Sequence, residues 1–126
     1  MILLPVDADA SARGLRDAIR EQTGVTVAVL ITDTFGRPWR EGLVEVAIGC
    51  AGMEPLLDLR GREDLQGRTL HHTVVALADE VAGAAGLVME KDSRVAAAIV
   101  RGVRYTPGRT GAAAALVRRP EFDLFR

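Results

Sequence analysis

Val25-Thr26-Val27-Ala28-Val29-Leu30-Ile31-Thr32 runs straight into Asp33-Thr34-Phe35-Gly36-Arg37-Pro38-Trp39-Arg40. The first eight residues are β-branched and apolar with almost no polar interruption, which predicts a strand buried on both faces. The next eight hold a carboxylate, a hydroxyl, a glycine, a proline, two arginines and the chain's one tryptophan. Polar groups at the exit of a buried strand are how α/β and α+β domains present chemistry on a rigid support. A second reading is open: Asp33 starts a plain turn and Trp39 fills a gap in the core.

Upstream, Ile2 to Val6 is apolar and predicts a short strand. A helix is expected from about Ser11 to Gln22, capped by Asp9 or Ser11. Leu15, Ala18 and Ile19 would form its buried stripe, Arg13 and Asp17 an exposed pair, and Gly24 its left-handed stop. Strand, helix and strand in about thirty residues suggest a parallel βαβ unit. Downstream, Val44 to Ala51 and Leu56 to Leu59 predict strands. The strongest helix signal runs from about His72 to Met89, and Val95 to Val100 predicts another buried strand ended by Arg101-Gly102. Ala112 to Val117 is helix or strand, and the end through Phe122 and Phe125 is irregular. The fold class expected is α+β, a mixed sheet with packed helices in a single domain over residues 1–126.

Composition bounds the function. The chain has 126 residues, 48% hydrophobic and 26% charged, enough for one domain with a core. Only 4% is aromatic, so the core is built from small aliphatic residues. A net charge of −1 gives no electrostatic reason to bind nucleic acid or an anionic membrane. No apolar run reaches the length of a membrane span. The single cysteine, Cys50, cannot form an internal disulfide, so a reducing, cytoplasmic location is expected.

Several residues carry candidate chemistry. Asp33 and Thr34 offer hard oxygen ligands of the kind magnesium or manganese takes alongside phosphate oxygens. Arg37 and Arg40 suit a phosphate or carboxylate, or else a solvated loop that pairs with Glu41. Cys50 lacks a local base and reads as a packing residue. His71 and His72 point apart and build no zinc site alone. Asp79 or Glu80 must turn inward on the alanine-rich helix, where a structural ion pair is the simplest partner. No Walker-type or dinucleotide glycine loop is present.

The stretch Thr32 to Arg40 resembles the coenzyme F420-0:L-glutamate ligase family, the γ-glutamyl ligases of deazaflavin biosynthesis. Leu3-Leu4-Pro5-Val6-Asp7, Val46-Ala47-Ile48-Gly49, Asp58-Leu59-Arg60-Gly61, Gly67-Arg68-Thr69-Leu70, Ala78-Asp79-Glu80, Leu87-Val88-Met89 and Val100-Arg101-Gly102 follow in family order. The resemblance implies a GTP-dependent ligase that phosphorylates a carboxylate of coenzyme F420-0 and adds L-glutamate through the acyl phosphate. It implies a manganese or magnesium ion held by Asp33 and Thr34, nucleotide contacts at Met89, Glu90, Lys91 and Asp92, and a homodimer. It further places the chain in the second half, the C-terminal part, of the family's ligase domain, as a fragment or truncated form. Glu90 stands where the family usually has glycine, Arg94 and Ala96 where it has glycine and proline, and Glu45 where aspartate is common. Glu90, the abrupt start at Met1 and the absence of the family's N-terminal half support an alternative, a non-catalytic remnant or assembly module that keeps the family core.

Overall fold

The structure is a computed structural model, which describes residues 3–108 and 112–123. Ile2 and Phe125 lie outside the described residues. Helix α1 spans Ala8–Thr23. Asp7 caps it, its carboxylate accepting the Ala10 N–H at 2.7 Å. That is earlier than the expected Asp9 or Ser11, because Asp9 is used elsewhere. Gly24 ends the helix at φ 72°, its N–H donating to the Arg20 carbonyl, as anticipated.

The second half of the apolar run and the first part of the motif form one strand, while residues 25–28 stay outside it. Strand β1, Val29–Arg37, pairs antiparallel with β2, Arg40–Ala51. The parallel βαβ unit does not form: Leu3 to Val6 is not a strand, and β1 turns back on itself through Pro38 and Trp39. Trp39 takes φ 55°, the left-handed conformation that a reversal this tight requires, and stands 86% exposed rather than filling the core. The register changes between Ile31 and Thr32 and again between Gly36 and Arg37, and such bulges bend the hairpin.

A second small antiparallel sheet pairs β3, Leu57–Asp58, with β4, Val74–Val75. The long helix expected from His72 starts only at Leu77, because Val74 and Val75 are taken by the sheet. Helix α2 covers Leu77–Gly86. A 3-10 turn follows at Ala113–Leu116 and another at Pro120–Phe122. Val95 to Val100 adopts no regular structure. The class is α+β, with both described sheets antiparallel.

The core lies where α1, α2 and the 3-10 turn at Ala113–Leu116 meet β2. Cys50, Met53, Leu77 and Ala113 are buried there, with Leu30, Val81 and Leu116 packed around them. Helix α1 meets β2 at Ala8 and buries Ala12, while Leu15 and Ile19 remain exposed. Small residues on both sides let the backbones approach: a Cβ on Gly49 would lie 2.4 Å from the Ala8 carbonyl oxygen. Asp9 fastens the junction, since one carboxylate oxygen accepts the Cys50 N–H at 2.8 Å and the Ala113 N–H at 3.0 Å. Arg13 reaches back toward Asp7, while Asp17 faces Arg16 and Arg20.

Candidate functional site

Thr34 lies opposite Glu45 in the β1–β2 hairpin. Directly opposed residues share a face of the sheet. The Thr34 hydroxyl donates to Glu45 Oε1 at 2.9 Å. Lys91, from the turn after α2, reaches the same place. Its Nζ donates to the Thr34 hydroxyl oxygen and lies 3.3 Å from Glu45 Oε1. Glu45 is largely enclosed, its side chain 15% exposed, whereas the Lys91 side chain is mostly in solvent. A Cβ on Gly86 would lie 2.7 Å from Glu45 Cγ, so the end of α2 presses on this carboxylate.

Asp33 is next to the cluster but not in it. Strand alternation directs its side chain to the other face, and its carboxylate turns back to accept the Thr34 N–H at 2.8 Å. The Thr34 and Glu45 oxygens converge on a cation-sized position, since the Lys91 ammonium touches both. In donor type and convergence these oxygens fit a hard divalent ion, with Asp33 as a near neighbour. Among the described residues, no group of three or more His, Cys, Asp or Glu side chains gathers as a ready metal cage. Ions completed by phosphate and water need no such cage.

Beside the cluster lies an open cleft of about 610 Å³, with Arg37, Glu45, Val74, Ala76, Asp79 and Gly83 among its walls. Arg37 folds along the hairpin, donating from Nη2 to the Glu41 carbonyl at 2.9 Å, while its Nε is buried without a partner. Arg40 is exposed at the start of β2. Asp79 accepts the Ala47 N–H at 2.9 Å, so the inward acid on α2 is met by strand backbone rather than by the expected ion pair.

Of the four residues expected near nucleotide, Lys91 alone joins the cluster. The Met89 N–H continues α2 by donating to Ala85. Glu90 and Asp92 are exposed on the turn, where the Glu90 carbonyl accepts from Ser93. Glu45 was missed as a site residue. Its signal was the hairpin register, which becomes readable once Pro38-Trp39 is taken as a two-residue reversal. His71 and His72 stack only loosely, with ring centroids 6.3 Å apart.

The profile of the F420-0:gamma-glutamyl ligase family matches residues 1–102. A coenzyme F420:L-glutamate ligase of Methanopyrus kandleri is 50% identical over 130 residues, covering 100% of this chain and 52% of that protein. One from Methanothermobacter thermautotrophicus is 48% identical over 125 residues, covering 98% and 50%. One from Haloarcula marismortui is 45% identical over 127 residues, covering 100% and 49%. The chain thus spans about half the length of the curated relatives it matches. These shares give the extent of the match and not its position along the relatives. No helix among the described residues is long and apolar enough to cross a membrane. On the match across most of its length, the chain belongs to the F420-0:gamma-glutamyl ligase family.

Proposed function

We propose that the chain supplies part of the phosphoryl-handling site of a ligase that joins L-glutamate to coenzyme F420-0. The observation that carries this reading is the meeting of Lys91, Glu45 and Thr34 on the hairpin that bears the Asp33 to Arg40 motif. Phosphoryl transfer depends mainly on positioning and on neutralising charge spread over phosphate oxygens. An ammonium held against a hydroxyl and a carboxylate is suited to that work.

The reaction proposed has two steps. A carboxylate oxygen of coenzyme F420-0 attacks the γ-phosphorus of GTP, and the bond to the bridging oxygen breaks with its electrons leaving on GDP. The amino group of L-glutamate then attacks the acyl carbon. The amine loses a proton, the C–O bond to phosphate breaks, and inorganic phosphate leaves as the amide forms. Lys91 balances charge on the phosphoryl oxygens. Thr34 donates or accepts a hydrogen bond at the same point, and Glu45 holds both in place. Arg37, on the cleft wall, orients a carboxylate or phosphate. A manganese or magnesium ion beside the Thr34 and Glu45 oxygens would supply further charge neutralisation.

Calorimetry of this chain with GTP and manganese tests the site. Measurable binding that falls at least tenfold in Thr34→Val and Lys91→Met supports it. Absence of heat, or equal heat in both variants, sinks the reading and favours the non-catalytic module. Glutamate addition to coenzyme F420-0 tests the reaction itself.

A further inference from the structure

The run Val95-Ala96-Ala97-Ala98-Ile99-Val100 has the composition of a strand covered on both faces. The structure leaves it outside every sheet. Among the described residues, the backbone of residues 96–105 makes no hydrogen bond until the Thr106 carbonyl accepts from Glu54. Residues at positive φ bracket the run, Arg94 at 58° and Gly102 at 83°. Most of the run is exposed, Ile99 to 80%, and Leu87 and Val88 are exposed just before it. Backbone N–H and C=O groups are nearly always paired where apolar side chains are buried. This run therefore has strand chemistry and an open ladder.

The surface of the whole chain points the same way. A folded monomer of 13.5 kDa exposes about 6,500 Å². This chain exposes 9979 Å². The excess, roughly 3,500 Å² on this chain alone, is at least as large as one partner's share of an obligate interface. The buried apolar residues among those described are mainly alanines, with Cys50, Met53 and Leu77. Such a thin core leaves the larger apolar side chains to be covered from outside. The relatives are about twice as long as the stretch they share with this chain.

From these observations we infer that Val95–Val100 is a receptor strand: it takes up, by backbone ladder pairing, a strand from the part of the ligase domain that lies outside these 126 residues. Addition of a strand to an open edge draws affinity from main-chain hydrogen bonds and specificity from alternate side chains. The small side chains of Ala96, Ala97 and Ala98 allow close approach, and Ile99 and Val100 give the incoming strand an apolar surface. Arg94 and Arg101 set the ends of the pairing. This inference rests on family membership and not on the phosphoryl-handling reading, and it can hold where that reading fails.

Amide hydrogen exchange tests it. The probe is a purified polypeptide made of the part of the Methanopyrus kandleri ligase outside the stretch matched by this chain. Alone, the 126-residue chain should exchange the amides of residues 96–100 freely. Mixed with the probe it should form a one-to-one complex in which those amides exchange at least tenfold more slowly. Ala97→Pro removes a ladder donor from a segment that makes no backbone hydrogen bond of its own. It should abolish the complex and leave the thermal melt of the free chain unchanged. Failure to form a complex, or a complex with residues 96–100 still freely exchanging, overturns the inference. Protection that grows with concentration of the chain alone also overturns it, since a second copy would then be the occupant.

Discussion

The Thr34 hydroxyl donates to Glu45 Oε1 across the hairpin, and Lys91 bridges the two from another part of the chain. The pair ties the family motif to the turn after α2. Thr34→Val keeps the shape and β-branching of the side chain while removing the hydroxyl. The loss of one part-buried hydrogen bond should cost about 1 kcal/mol of stability in urea denaturation. Nucleotide binding in the presence of manganese should fall much further, at least tenfold. Similar small losses in both would reduce Thr34 to a cross-strand structural contact.

Gly86 gives a way to disturb Glu45 without altering its chemistry. Alanine is favoured over glycine in a helix by about 1 kcal/mol. At Gly86 the added Cβ would lie 2.7 Å from Glu45 Cγ, closer than real contacts allow. The carboxylate must swing away from Thr34 and Lys91. Gly86→Ala should therefore melt within about 1 kcal/mol of the parent and still lose nucleotide and metal binding in calorimetry. Unaltered binding would show that the position of Glu45 does not matter to the site.

Some local signals are legible in the sequence, and strand pairing is not. Gly24 stops α1 where its conformational freedom suggested, and the β-branched run Val29 to Thr32 is strand. The motif reads as the exit of a strand because Pro38-Trp39 lacks the Asn-Gly or Asp-Gly signature of a hairpin. With the hairpin unread, the Thr34–Glu45 pair stayed hidden. Leu15 and Ile19 matched a helical stripe, yet close packing selected Ala8 and Ala12 instead, because Gly49 offers room for backbone and not for a long side chain. For Val95 to Val100 the composition indicated strand, but no neighbouring strand among the described residues pairs with it.

Gly49 is the tightest point between α1 and β2. A Cβ there would meet the Ala8 carbonyl oxygen at 2.4 Å and its carbonyl carbon at 2.6 Å. Both are backbone atoms at the start of a helix, and neither can rotate aside. Gly49→Ala should lift α1 from the sheet and cost about 2–3 kcal/mol, seen as a lower thermal midpoint. The matching change Gly83→Ala, with open space around its Cβ, should be neutral or slightly stabilising.

Cys50 is wholly buried, and burial pushes its thiol up from 9.0 to about 11, with the Asp9 and Glu54 carboxylates adding to the shift. A raised value in the folded state means that the folded chain holds this proton where the unfolded chain has lost it. The associated stability is intact below about pH 9 and is lost as pH rises toward 11. Urea midpoints should fall across that interval, and Cys50→Ala should flatten this part of the profile. A thiol reagent at about pH 8 should label the unfolded chain readily and the folded chain only as fast as it opens.

Asp9 joins three elements through one oxygen, accepting the Cys50 N–H of β2 and the Ala113 N–H of the 3-10 turn from its place on α1. Asp9→Ala leaves both donors unpaired in a partly buried setting. Each orphaned group costs about 1–3 kcal/mol, so the variant should lose about 2–4 kcal/mol in urea denaturation. Asp9→Asn keeps a carbonyl oxygen in the same place and gives up the charge, which strengthens such bonds. It should recover most of the loss, ending about 1 kcal/mol below the parent. The comparison separates hydrogen bonding from charge at the helix N-terminus, where a carboxylate also interacts with the helix dipole. If asparagine proves as damaging as alanine, the negative charge rather than the two accepted hydrogen bonds holds α1 to the sheet.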